Sequence, residues 1–246
     1  MRLIGLRTRL TVFLLCIALP FTSFAKNEGL DISPIRLILN GEQPSSSIKI
    51  SNKKSRPVSF QARVFKRIVT AEEDSLAETD DLVFNPPFFK IQPQQSQVIR
   101  IGMEKNQAAK TEQLYRIFFE ELPPESPTNR AEVTVLMNLS IPIYIEPIGG
   151  SSPKAVITGF QKHATRPGLK VTNSGNAHLL IHRLNLSREG QEKIEADIKG
   201  PVFLPAGKDA IIPLRKTTTV ATTGKYTAEL DTNHGLMHEE ITLQAP

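Results

Sequence analysis

Tryptophan is absent from this 246-residue chain, tyrosine occurs only three times, and the one cysteine is Cys16. So few stacking rings give single-stranded nucleic acid little to bind. One cysteine permits no internal disulfide. Cys16 also falls in a segment that reads as removable, so the mature chain has no thiolate nucleophile and no thiolate metal site. Beyond the first 25 residues there is no long apolar run, so no membrane-spanning helix of roughly 20 residues is expected. Charge of one sign is missing too. The +5 formal charge includes three leader arginines; without them 27 Lys and Arg face 25 Asp and Glu, which leaves +2. That balance does not point to nucleic acid.

Recognisable catalytic chemistry is also lacking. No Gly-x-Ser-x-Gly elbow, no phosphate-cradling glycine loop and no Cys–His pairing occurs. His178 and His182 are four apart, which on a strand separates them by about 13 Å, too far to share one metal ion. His234 and His238 flank a predicted turn beside Glu239 and Glu240 and read as solvated turn residues. No catalytic residue, no metal site and no cofactor is expected.

What the chain does have begins with an export leader. Arg2, Arg7 and Arg9 precede the apolar run Leu10 to Leu19, and Ser23-Phe24-Ala25 offers a small-x-small cleavage site, so residues 1–25 read as a signal peptide. The remainder is strand-like throughout. Leu30 to Leu39 ends at Asn40-Gly41; Ser47 to Asn52, Val58 to Val69, Leu82 to Lys90, Ser96 to Met103 and Leu114 to Leu122 follow. Ala71 to Asp81, with six acidic residues, reads as a solvated loop. Ile148 to Pro153 (IGGSSP) reads as a linker, and the last 93 residues repeat the all-β style. The expectation is an all-β protein with two immunoglobulin-like sandwiches, residues 26–147 and 154–246, joined by 148–153.

One stretch stands out, Glu132 to Pro147. Val133, Val135, Met137, Leu139, Ile141, Ile143 and Ile145 recur at every second position and so share one face of a strand. Thirteen residues at roughly 3.3 Å would span about 43 Å, well over twice a usual strand. A small sandwich has trouble burying so long a stripe, so two readings stand: an ordinary core strand of an all-β domain, or a strand whose stripe partly serves another protein; the rest of the chain decides between them.

Several segments carry a family likeness. They are Asp31-Ile-Ser-Pro-Ile-Arg36, Ile50-Ser-Asn52 with Arg56-Pro57-Val58, Asn85-Pro-Pro-Phe-Phe-Lys-Ile-Gln-Pro93 before Val98-Ile-Arg-Ile101, and Tyr115-Arg-Ile-Phe-Phe-Glu-Glu-Leu-Pro-Pro124. In this order, behind a leader and ahead of a second domain, they resemble the PapD-like periplasmic chaperones of the chaperone–usher pilus pathway.

The resemblance implies two immunoglobulin-like domains set as an L, working in the periplasm on newly exported pilin subunits and delivering them to an outer-membrane usher. In that family a subunit lacks the last strand of its own sandwich, and the chaperone lends one, a form of β-augmentation. Carried over, the donor side chains are Val133, Val135, Met137 and Leu139, while Ile141, Ile143 and Ile145 pack in the chaperone's own core. The subunit's C-terminal carboxylate is gripped by two cations. The first matches Arg36; the second, normally a Lys on the long strand, falls on Pro142, so Arg116 or Arg100 are the substitutes to consider. Whether the free chain hides its stripe in a self-capping homodimer stays open. The alternative function is an exported adhesin or structural fibre component. A fibre subunit, however, would need a donor extension, and only Lys26 to Gly29 precede the first strand.

Overall fold

The computed structural model describes residues 29–70, 73–104, 109–124, 135–163, 166–215 and 223–243. The leader and Val133 lie outside the described residues.

Alternating apolar positions build the first sandwich. Its first five strands are β1 (Leu30–Ser33), β2 (Leu37–Leu39), β3 (Ser45–Asn52), β4 (Val58–Val69) and β5 (Asp74–Glu78). The next five are β6 (Leu82–Asn85), β7 (Phe88–Ile91), β8 (Ser96–Met103), β9 (Gln113–Glu121) and β10 (Asn138–Ile145). One sheet runs β1-β3-β8-β6; the other runs β2-β10-β9-β4-β5, with β7 also on β4. Every second residue of β3, β4, β8, β9 and β10 turns inward, so Ile48, Phe60, Ile99, Ile117 and Ile143 close a single core.

Prolines cut two of the expected strands. The stretch Leu30 to Leu39 is interrupted at Pro34, so β1 pairs with β3 in one sheet and β2 pairs in parallel with β10 in the other. Pro86 and Pro87 do the same between β6, which pairs with β8, and β7, which pairs with β4. A proline removes a ladder donor, and both breaks fall where the chain leaves one sheet for the other.

The acidic segment expected to be a loop is a strand. β5 pairs with the end of β4, from Phe65↔Glu78 to Val69↔Asp74. The two acidic residues within β5 tolerate this because it is an edge strand facing cations: Arg67 donates to Asp74 at 2.8 and 2.6 Å, and Arg63 lies 3.7 Å from Glu78. Charged edges of this kind also discourage further pairing.

The second domain has β11 (Ala155–His163), β12 (Arg166–Asn173), β13 (Leu179–Ser187) and β14 (Ile194–Glu195). It continues with β15 (Val202–Leu204), β16 (Asp209–Pro213), β17 (Gly224–Thr232) and β18 (Gly235–Leu243). One sheet runs β11-β12-β16; the other runs β14-β13-β17-β18, with β15 also on β13. Leu169, Val171, Ile181, Leu186 and Leu230 fill a separate core. The last hairpin turns at Asn233-His234, and Gly235 enters β18 at φ 98°, a conformation glycine adopts without strain. His238, expected to flank the turn, therefore lies within β18, opposite Glu229. Between the domains, Gly149 and Gly150 take φ 83° and 89°, which lets the chain turn sharply after Pro147.

Candidate functional site

The long stripe is divided. Ile141, Ile143 and Ile145 are buried in the first core, and Leu139 packs against it from a partly buried position. Before it the chain leaves the sheet. Residues 135–137 lie outside any strand, with Val135 78 % and Met137 38 % exposed. Of the expected thirteen-residue strand, the described part that is strand is the eight residues of β10. The reason is the neighbour: β9 ends at Glu121 and Pro123-Pro124 cannot prolong the ladder, so among the described residues Val135 to Met137 have no strand beside them.

β10 also has a bare margin. On one side β9 accompanies it from Asn138↔Glu120 to Ile145↔Gln113. On the other, β2 covers only Ile143 to Ile145. Among the described residues, Asn138 to Pro142 therefore have a partner on one side alone. Pro142 sits in this one-sided stretch, where a missing donor is most easily accommodated.

The outward face of the same sheet holds the cations. Pro142 pairs with Arg116, and Arg116 with Phe65. Arg36 immediately precedes Leu37, the partner of Ile143, which puts it at the Pro142 end of β2. With strands about 4.8 Å apart, Arg36 and Arg116 flank Pro142 from either side. Two flexible side chains reach across that gap easily. Arg116 Nη1 donates to Ser140 Oγ at 3.0 Å, on the outward face of β10. Among the described residues neither Arg36 nor Arg116 makes an ion pair, and Arg36 is exposed. Arg100 does not join them. It lies on β8 in the opposite sheet, paired with Ser47 and Asn85, and lines a shallow groove with Val83 and Gly102.

Tyr144 marks where this face meets the second domain. Its ring stacks on His178 with centroids 4.4 Å apart; His178 stacks on Phe203 at 5.2 Å, and the Arg67 guanidinium covers Phe203 at 4.3 Å. Burial pushes the Tyr144 phenol up from its ordinary value, and the Glu112 carboxylate adds to this. Arg67, Arg116 and Arg36 oppose it, so three guanidinium fields converge on one hydroxyl. Glu112 Oε2 accepts from the His178 backbone N–H at 3.0 Å and lies 2.7 Å from His178 Nδ1. Arg67 and His178 were not legible as neighbours, since 111 residues separate them and only the domain contact joins them. His178 and His234 stand edge to face at 6.1 Å, but no metal-binding group of His, Cys, Asp or Glu occurs among the described residues.

A buried carboxylate closes the opposite end of β10. Glu121 accepts from Arg56 Nη2 at 2.7 Å, from Lys54 Nζ at 3.2 Å and from the Met137 N–H at 3.3 Å. Burial alone would raise its carboxyl. The Lys54, Arg56 and Met137 hydrogen bonds win, and hold it below its ordinary value of 4.5. The lowered group contributes stability that is fully present above that value and is lost as pH falls through the lower folded-state value. Melting temperature is therefore expected to drop on acidification below about pH 4.5. In Glu121→Gln that part of the acid sensitivity should disappear, and an unchanged pH profile would show that the pair contributes nothing.

Comparison with known proteins places the chain in a family. A family model described as pili and flagellar-assembly chaperone, PapD N-terminal domain, matches residues 29–151. The chain is 27% identical over 135 residues to the Escherichia coli chaperone protein CssC, covering 53% of this chain and 54% of that one. It is 24% identical over 143 residues to the E. coli chaperone protein FanE, covering 56% and 57%. The matches thus span about half the length of these curated relatives. By fold, it is similar to the CsuC–CsuE chaperone–tip adhesion subunit pre-assembly complex of the archaic Csu pili of Acinetobacter baumannii. That likeness has TM-score 0.62 and 19% identity over 88% of this chain and 98% of the other.

Proposed function

Because the chain belongs to the family of pilus and flagellar-assembly chaperones with a PapD-type N-terminal domain, we propose that it is a periplasmic chaperone for pilin subunits. It is a binding protein without catalysis or cofactor. It captures a subunit by donor-strand complementation and passes it to an outer-membrane usher. The subunit's open edge pairs with the bare margin of β10 between Asn138 and Pro142. Its apolar groove takes Val133, Val135 and Met137, with Leu139 at the boundary of the chaperone's own core. Its C-terminal carboxylate sits between Arg36 and Arg116, two guanidiniums whose planar forks suit a carboxylate.

The observation that carries this reading is one alternating stripe with two fates. It is sealed at Ile143, within β10, and open at Val135, just before that strand begins. An incomplete sandwich presents the complementary fault, an unpaired edge beside an apolar groove, and the two faults cancel on pairing. The Pro142 departure from the expected Lys is met by position rather than by kind, since Arg116 is Pro142's cross-strand partner.

The test is co-expression in a bacterial periplasm with small exported subunits encoded beside this chain. Such subunits should accumulate as a soluble one-to-one complex with the chaperone and be degraded or aggregated without it. Equal subunit yield in both cases would overturn the proposal.

A further inference from the structure

Two motifs of the sequence, Ile50-Ser-Asn52 with Arg56-Pro57 and the Glu120-Glu121 pair before Pro123, are unexplained by subunit contact. The structure joins them. Asn52 is buried, and its Nδ2 donates to Arg56 O at 2.8 Å and to Ile91 O at 3.1 Å, while its Oδ1 accepts the Lys54 N–H at 2.9 Å. That fixes the turn between β3 and β4 and aims Lys54 and Arg56 at one carboxylate, Glu121. Glu121 in turn holds Met137 twice. Its backbone N–H donates to Met137 O at 2.8 Å, and its Oε2 accepts the Met137 N–H at 3.3 Å. A side-chain carboxylate thus takes the place of a ladder acceptor at Met137, the residue just before β10.

We propose that Asn52, Lys54, Arg56 and Glu121 are a register clamp for the donor segment. They are positioning residues: they fix Met137 at the sheet's end, and so decide which side chains of the stripe are lent and which are kept. Register matters here because a slip of one residue would turn the whole apolar face to the other side. A slip of two would withdraw Met137 into the core or push Leu139 out. A hydrogen bond to backbone needs no particular side chain at 137, so the clamp sets position without restricting the stripe's composition. This inference rests on the donor-strand reading, since without a guest there is nothing to register.

The experiment uses the free mature chain and no subunit. Hydrogen exchange at the Met137 amide, read by NMR, should be about tenfold or more faster in Glu121→Gln than in wild type, the scale of one charge-assisted hydrogen bond. The amides of Ile117 and Ile143 should keep their wild-type rates. A nitroxide on Val135→Cys should show greater mobility in the Glu121→Gln background; the leader's Cys16 is the only other cysteine. If Glu121→Gln does not fold, Arg56→Met keeps the carboxylate but removes its 2.7 Å partner, and should still quicken Met137 exchange several-fold. An unchanged Met137 rate in the folded variant, or equal acceleration at Ile117 and Ile143, would overturn the clamp. Capture failing for other reasons would leave these readouts untouched.

Discussion

Val135→Asp should abolish subunit capture while leaving the free chaperone as stable as wild type. In the free chain Val135 is 78 % exposed and outside any strand, so an added charge meets water. Substitutions at such positions usually change stability by about 0.5 kcal/mol or less, a shift of no more than about 3 °C in melting temperature here. In the proposed complex the same side chain would enter an apolar groove. The loss of valine burial, about 1.5–3 kcal/mol, is compounded by the cost of burying a carboxylate, several kcal/mol more. Together these exceed a thousandfold in affinity. Thermal melting and co-purification measure the two halves separately. A large fall in melting temperature would place Val135 in the chaperone's own core. Full capture would show that the stripe is not lent. Leu139, already packed against that core, should show a mixed loss of stability and capture on the same substitution.

Removing either guanidinium beside Pro142 should weaken capture by roughly ten- to a hundredfold, the range for losing a hydrogen bond to a charged group. Arg36→Ala and Arg116→Ala should both stay folded, because neither side chain supports an ion pair among the described residues. If both grip one carboxylate, the double variant will lose less than the sum of the singles, since residues acting on one group are not additive. Arg100→Ala, on the far sheet, should bind as wild type. Pro142→Lys gives a sharper check. It places a cation between Arg36 and Arg116, on the face they share, and should recover part of what Arg116→Ala loses. Binding constants by calorimetry with a purified subunit decide the matter. Wild-type affinity in Arg36→Ala would remove the anchor from the mechanism. Wild-type affinity in Arg116→Ala alone would leave Arg36 as the sole cation.

Much of the fold was legible because a strand exposes its alternation locally. Ile48 and Ile50, Ile99 and Ile101, and Ile141 to Ile145 are all inward as their period of two requires. The misses share one cause. The expected strands Leu30 to Leu39 and Leu82 to Lys90 run through Pro34 and Pro86-Pro87, whereas at each of these breaks the chain passes to a different sheet. The acidic run Ala71 to Asp81 reads as a loop by composition, and composition cannot show that Arg63 and Arg67 wait on the neighbouring strand. The stripe was read as one long strand because periodicity does not reveal where a partner ends.

The all-β character, the split into two sandwiches and the apolar face running through β10 are local properties of the chain, since they follow from side-chain period and turn residues within a few positions. The sequence also marked Arg36 and left Pro142 as an unanswered substitution. That Arg116 flanks that proline while Arg100 lies on the other sheet, and that Glu121 holds Met137, emerges from the folded chain alone. So does the meeting of Tyr144 and His178 across the domain contact. Cross-strand neighbours are set by register and sheet order, which bring together residues tens of positions apart. No local pattern encodes that pairing until the core has closed.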